Sequence, residues 1–255
     1  LNPSKPDGRD VLARLIAKAD IVVANLPPPA LAALGLDYKS LRAVKHDIVL
    51  TMVTAFGQGG SLSNKPGFDG IGQAMSGAIH LAGTPEQPAR SLVPYVDFCT
   101  ASLCAFGTLA ALMARDKSGQ GQVVEASLLL SGLSIANYAL VEQAATGINR
   151  TALGNRGFAS APNDLFRTCD GWVVVQSVGD SMFARWCEMT GNEALADDPR
   201  FADDVSRAAH GEFISDLMAA WSHNRSTVEV LDALAAARIP SGPVYSPEQV
   251  LHDSH

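Results

Sequence analysis

Apolar positions along the chain follow two rhythms. In the first half, helical spacing alternates with short apolar runs. Val11, Leu12, Leu15, Ile16 and Ala19 recur at helical spacing, with Asp10 as the expected N-cap. Ile21-Val22-Val23 reads as a buried strand that stops just short of Asn25, and Pro27-Pro28-Pro29 then opens a helix running to Leu34. Residues 48–53, Ile-Val-Leu-Thr-Met-Val, make a second strand rich in β-branched side chains. Helix and strand in alternation predict an α/β fold with a parallel sheet. A long loop is expected over 54–70, a helix over 71–81 and a proline-containing loop over 84–94. Asp97 then heads an apolar helix expected over 98–115. A turn over 117–121, a strand over 122–125 and a second long helix over 126–146 complete this part.

The stretch 147–163 is rich in Gly, Asn, Arg and Pro and reads as a linker. Beyond it the rhythm changes. Leu165 to Thr168, the turn Cys169-Asp170-Gly171 and Trp172 to Gln176 resemble a hairpin, and helices are expected near 180–190, 211–222 and 226–237. Strands followed by grouped helices predict a smaller α+β domain over 164–255, after a large α/β domain over 1–146.

Composition narrows the classes. Of 255 residues, 47% are hydrophobic and 18% charged, a globular balance with apolar material for a sizeable core. The net charge of −7, with no Lys/Arg cluster, argues against nucleic acid or an anionic membrane as partner. Two uncharged stretches, 98–114 and 126–141, fall short of the ~20 residues that a membrane-spanning helix needs and carry polar side chains, so both read as core helices. Cys99, Cys104, Cys169 and Cys187 form no C-x-x-C pair and read as reduced thiols of a cytoplasmic protein. The opening residues carry no apolar signal region, and His252 with His255 reads as a tail and no metal site.

Candidate chemistry is sparse. Phe56-Gly57-Gln58-Gly59-Gly60 follows a strand, but no helix opens at once and the third glycine is out of place, so it is no dinucleotide fingerprint. There is no P-loop, and Ser76 does not sit in a G-x-S-x-G elbow. Asp97, between apolar neighbours at a helix start, has two readings: a helix cap, or a partly desolvated carboxylate able to act as a nucleophile. Asp69 in Gly67-Phe68-Asp69-Gly70 is a turn residue or a site residue, and Arg150, Asn155 and Arg156 are phosphate contacts or solvated loop residues.

Taken in order, these segments resemble the class III CoA-transferase family, which also contains acyl-CoA racemases and carnitine-dehydratase-like proteins. The blocks are Ala19-Asp20-Ile21-Val22-Val23-Ala24-Asn25, Leu34-Gly35-Leu36-Asp37-Tyr38, the glycine loop, Gly67-Phe68-Asp69 with Gln73-Ala74-Met75-Ser76-Gly77, and Asp97. After them come Gly119 to Glu125, Gly154-Asn155-Arg156, Asp170 to Val173 and Ile239 to Val244. The resemblance implies a Rossmann-like large domain, a smaller domain and an interlocked homodimer. It assigns catalysis to Asp97 and acyl-CoA contacts to Asn25, Gly57, Gln58, Phe68 and Asp69, with coenzyme A thioester as substrate and no resident cofactor. The implied reaction passes CoA from an acyl-CoA to a small carboxylic acid through a covalent aspartyl intermediate. Where the family's racemases carry His, this chain carries Phe68, which disfavours two-base proton transfer. Leu26-Pro27-Pro28-Pro29 replaces the family's usual Phe-Arg-Pro-Gly. Family members also begin before the point matched by Leu1 and continue past Val244. An acyl-CoA isomerase and a non-catalytic acyl-CoA-binding protein are the alternatives.

Overall fold

The apolar runs of the first half become strands of one sheet. The structure, a computed structural model, describes residues 2–255. The chain divides into two compact units, Leu1–Ala152 and Leu153–His255. In the first, β1 (Ile21–Ala24), β2 (Val49–Thr54) and β3 (Val123–Ser127) lie parallel in that order. Helices α2 (Pro28–Leu34) and α3 (Tyr38–Val44) join β1 to β2, and α4 (Asp69–Met75) and α5 (Tyr95–Ser118) join β2 to β3. Helix α1 (Pro6–Ile16) precedes the sheet, and α6 (Leu128–Ile135) and α7 (Asn137–Thr146) follow it. The central strand β2 is buried from Val49 to Met52. Covered on both faces, it shows an apolar run broken only by Thr51 and no alternation.

Helix α5 carries the site described below. Its buried residues, Val96, Thr100, Cys104, Thr108 and Ala111, recur every three or four positions and form one stripe against the sheet and α6. Thr108 Oγ1 meets Thr51 Oγ1 of β2 at 2.6 Å, and Thr100 Oγ1 donates to Ser131 Oγ of α6 at 2.7 Å. These pairs satisfy hydroxyls that burial would otherwise leave unpaired. Phe106, Leu109 and Met113 on the other face are exposed. With 24 residues, α5 is longer than expected from sequence and has the length and hydropathy of a membrane-crossing segment.

Other elements differ from expectation for local reasons. Helix α1 starts at Pro6, whose fixed φ suits a first helical turn, so Asp10 lies inside the helix and caps nothing. Helix α4 starts at Asp69, ahead of the expected 71, and ends at Met75. The single helix expected over 126–146 is two, α6 and α7, which meet at Ala136. Helix α5 starts at Tyr95, so Asp97 is its third residue.

In the second unit β4 (Asn163–Arg167), β5 (Trp172–Gln176) and β6 (Ser241–Pro243) form an antiparallel sheet, with β4 and β5 the expected hairpin. Helices α8 (Asp180–Thr190), α9 (Asp204–Ala209), α10 (Gly211–Ser222), α11 (Thr227–Ala236) and α12 (Pro247–His252) complete it. Trp186, Phe183, Ile214, Met218 and Leu234 are buried in its core with Val173 and Val175 of β5. The sequence pattern did not reveal β6, α9 or α12.

In the first unit α4 lies close to both α5 and α6. A Cβ added at Gly72 would sit 2.9 Å from Val96 Cγ1 and 3.3 Å from the Leu128 carbonyl oxygen. Gly72→Ala is therefore expected to destabilise the fold by about 1–3 kcal/mol through overpacking. Urea unfolding checks this as a lower midpoint at unchanged slope.

Candidate active site

Because β1, β2 and β3 are parallel, their carboxyl ends share one edge of the sheet. In open α/β sheets the crevice outside that edge is where ligands bind. Asn25 follows β1, Thr54 ends β2 and Leu128 follows β3. Gly57 turns the chain away from β2 with φ +77°, a left-handed conformation that suits glycine, and its N–H donates to Thr54 Oγ1 at 2.9 Å. The first turn of α5 reaches the same edge. Together these segments enclose a cavity of about 510 Å³ whose walls include Asn25, Thr54, Phe68, Asp97, Ala101 and Leu128.

Asp97 is the one ionisable side chain among the residues lining this cavity. Partial burial pushes its carboxyl above the ordinary aspartate range, and the nearby Asp69 charge pushes it further the same way. Burial, then the Asp69 charge, likewise raise the Tyr95 phenol. Asp97 does not cap its own helix. The residue before the first turn is Pro94, which has no side-chain acceptor. The acceptor comes from α4: Asp69 Oδ2 receives the N–H groups of Val96 at 2.9 Å and Asp97 at 3.1 Å. The other carboxylate oxygen, Oδ1, accepts from the Gln73 side-chain amide. Gln73 also bonds both backbone groups of Ser91: it donates to the carbonyl at 3.1 Å and accepts from the N–H at 3.0 Å.

Of the six residues singled out from sequence, Asn25, Phe68 and Asp97 line the cavity. Phe68 is largely exposed. Asp69 is only 9% exposed, and its carboxylate is turned to the start of α5. Gly57 is not among the lining residues, and Gln58 lines a separate cavity of about 160 Å³ beside Asp37 and Tyr38. Arg150 holds Glu142 through two bonds at 2.8 and 2.6 Å, and Arg156 lies 3.7 Å from Glu212. Among the described residues no three His, Cys, Asp or Glu side chains are grouped to hold a metal. Sequence reasoning missed Thr54, Ala101, Leu128 and Gln73. Strand ends were the available signal for Thr54 and Leu128, and helical spacing of four from Asp97 was the signal for Ala101.

The family model described as CoA-transferase family III matches residues 1–255. A succinyl-CoA–D-citramalate CoA-transferase of Chloroflexus aurantiacus is 33% identical over 98% of this chain and 63% of its own length. A succinate–glutarate CoA-transferase of Agrobacterium fabrum is 30% identical over 97% of this chain and 62% of its own. The chain thus spans less than two thirds of the length of these relatives. The crystal structure of a CAIB/BAIF family protein from Brucella suis superposes with a TM-score of 0.85 at 27% identity, covering 99% of this chain and 67% of that one.

The raised Asp97 carboxyl has a consequence for stability. Well below the ordinary value of ~3.9, folded and unfolded chains are both protonated there and nothing is lost. As pH rises through that value the unfolded chain releases its proton first, and stability falls until pH passes the folded-state value. Asp97→Asn, which cannot ionise, is expected to melt at a higher temperature than the parent at about pH 7 and at the same temperature near about pH 3. Calorimetry at the two pH values checks the sign.

Proposed function

The chain belongs to CoA-transferase family III, and from that membership we propose that it moves coenzyme A from an acyl-CoA donor to a small carboxylic acid, with Asp97 as the covalent carrier. The observation that carries this reading is the position of Asp97. It is a carboxylate of raised basicity on the first turn of a helix, lining a cavity at the carboxyl ends of a parallel sheet. A carboxylate stripped of part of its water is a stronger nucleophile when ionised than one fully in water.

The reaction then runs as follows. An Asp97 carboxylate oxygen attacks the thioester carbonyl carbon, the C–S bond breaks and its electron pair leaves on sulfur as CoA thiolate. The product is a mixed anhydride. The thiolate attacks the Asp97 carbonyl carbon, releasing the donor acid as a carboxylate and leaving an aspartyl-CoA thioester. The acceptor carboxylate attacks that thioester and expels the thiolate again, giving a second anhydride. Attack of the thiolate on the acceptor acyl carbon forms the new acyl-CoA and restores the Asp97 carboxylate. No redox step and no net proton change is involved.

Asn25 and Phe68 are read as acyl-CoA contacts, supported by their places on the cavity wall. Gly57 and Gln58 are read as acting through the shape of the 55–68 loop. Asp69, with its carboxylate buried, is no longer read as a CoA contact. The succinate and glutarate in the relatives' names suggest short dicarboxylic acids as substrates. We further read the protein as cytoplasmic, which its four free cysteines support, and as an interlocked homodimer, which the exposed apolar face of α5 supports. The phenyl ring of Phe68 offers no second base, so transfer is favoured over racemisation.

Incubation of the full chain with a panel of acyl-CoAs, quenching with hydroxylamine and peptide mass spectrometry test this. The expected outcome is a hydroxamate on the peptide carrying Asp97, absent from Asp97→Asn, which also loses transfer. Full transfer by Asp97→Asn overturns the reading. Exchange of the substrate α-proton with deuterated solvent, without transfer, favours an isomerase.

A further inference from the structure

The hydrogen bonds around Asp69 are unusual in where they cross the fold. A helix leaves its first N–H groups without partners, and these are ordinarily met by the side chain just before the first turn. At α5 that position is Pro94, which has nothing to offer. The bonds a cap would make, to the second and third residues of the helix, are made instead by Asp69, 27 and 28 positions earlier in the chain. One of the two recipients is the backbone N–H of Asp97 itself. All three donors on the Asp69 carboxylate are N–H groups, which match the acceptor-only oxygens of an ionised carboxylate. Gln73, one turn further along α4 and almost fully buried, holds the second oxygen and pins the 82–94 loop through Ser91.

Building on the reading of Asp97 as the nucleophile, we propose that Asp69, anchored by Gln73, is its positioning residue. The carboxylate stands in for the missing cap of α5, fixes the backbone from which the Asp97 side chain projects and places a second carboxylate behind the nucleophile. It does not touch substrate. The ionisable groups near this corner are Arg90, whose guanidinium lies beside Gly70, the Tyr95 phenol on α5, and Glu125 of β3 beside Gly57. The wall residues from β1, β2 and α6, namely Val23, Val53, Thr54 and Leu128, carry no ionisable group. Asp97 shares this corner with a like charge and no lining cation, an arrangement that makes a carboxylate more basic and a better nucleophile.

Two variants separate the parts of this role. Asp69→Asn keeps the shape and one oxygen acceptor for the helix start but removes the charge. Asp69→Ala removes both. Carboxyl ¹³C NMR titration of the full chain, with the Asp97 signal assigned by its loss in Asp97→Asn, reads the charge effect directly. The Asp97 midpoint is expected above the ordinary aspartate value in the parent and lower in Asp69→Asn, with the acid limb of the kcat/KM profile moving the same way. Amide exchange reads the cap. The Val96 and Asp97 amides are expected to exchange roughly five- to tenfold faster in Asp69→Ala and to stay nearer the parent rate in Asp69→Asn.

An Asp97 midpoint in the parent at or below the ordinary value overturns the proposal without any variant. So does a folded Asp69→Asn with an unmoved midpoint. The titration needs no substrate, so it distinguishes this proposal from the transferase reading. A shifted Asp97 in a protein that forms no adduct supports the brace and sinks the transferase. Normal adduct formation with an unshifted Asp97 does the reverse.

Discussion

The first turn of α5 is held by a carboxylate that belongs to another helix, and most of what is distinctive about the candidate site follows from that bond. A helix of 24 residues packs against the sheet through one stripe, from Val96 to Ala111. That stripe fixes its rotation and its distance from β2, but not where its N-terminus stops. Pro94 ends the preceding loop with no side-chain acceptor, so a helix left to itself would fray there. Asp69 closes the turn and, by bonding the Asp97 amide, ties the position of one side chain to the start of α4. The close approach of Gly72 to Val96 makes that tie short. Steric contact and hydrogen bond thus act on the same two residues from the same helix.

The cost of this arrangement is electrostatic. Two carboxylates at one corner of a fold, with no cation bonded to either, raise the free energy of ionising the more exposed of them. Purely structural capping would be served as well by a neutral Ser or Asn, both good acceptors for helix N–H groups. A charged residue that is buried, destabilising to its neighbour and fully hydrogen-bonded is the kind of compromise that sites of chemistry carry. The fold absorbs it through Gln73, whose amide satisfies the second oxygen while its own remaining groups are used by Ser91.

How much of this was legible in the sequence depends on the range of the interaction. The strands were visible because burial on both faces writes itself locally, as Val49 to Met52 do. The carboxyl edge of the sheet, and with it Asn25, could be placed from strand ends. The role of Asp97 could not be separated from capping. Its flanking sequence has the same look in both cases, and the residue that does the capping lies 28 positions away. Asp69 read as a turn residue or ligand contact for the same reason: nothing nearby shows that its carboxylate faces α5. The break at Ala136 escaped because neither Gly nor Pro marks it, and β6 because three residues pairing with β5 leave no periodic signal. Local rules located the elements. The pairings that make the site join residues far apart in sequence.

Phe68 bears on which chemistry the cavity favours. It precedes Asp69 directly, so the residue that opens α4 and braces α5 also fixes where the Phe68 ring enters the cavity. A titratable residue at this point would share the corner with Asp97 and act as its partner in moving a proton between the two faces of a carbon. A phenyl ring supplies none of this. It adds apolar surface to the cavity wall that also carries Asp97. Phe68 therefore leaves Asp97 as the one ionisable side chain on this cavity wall. On the proposed reading of Asp97 as the nucleophile, a wall without a second base suits acyl transfer better than proton transfer, and it arises from one side chain placed by the α4 turn.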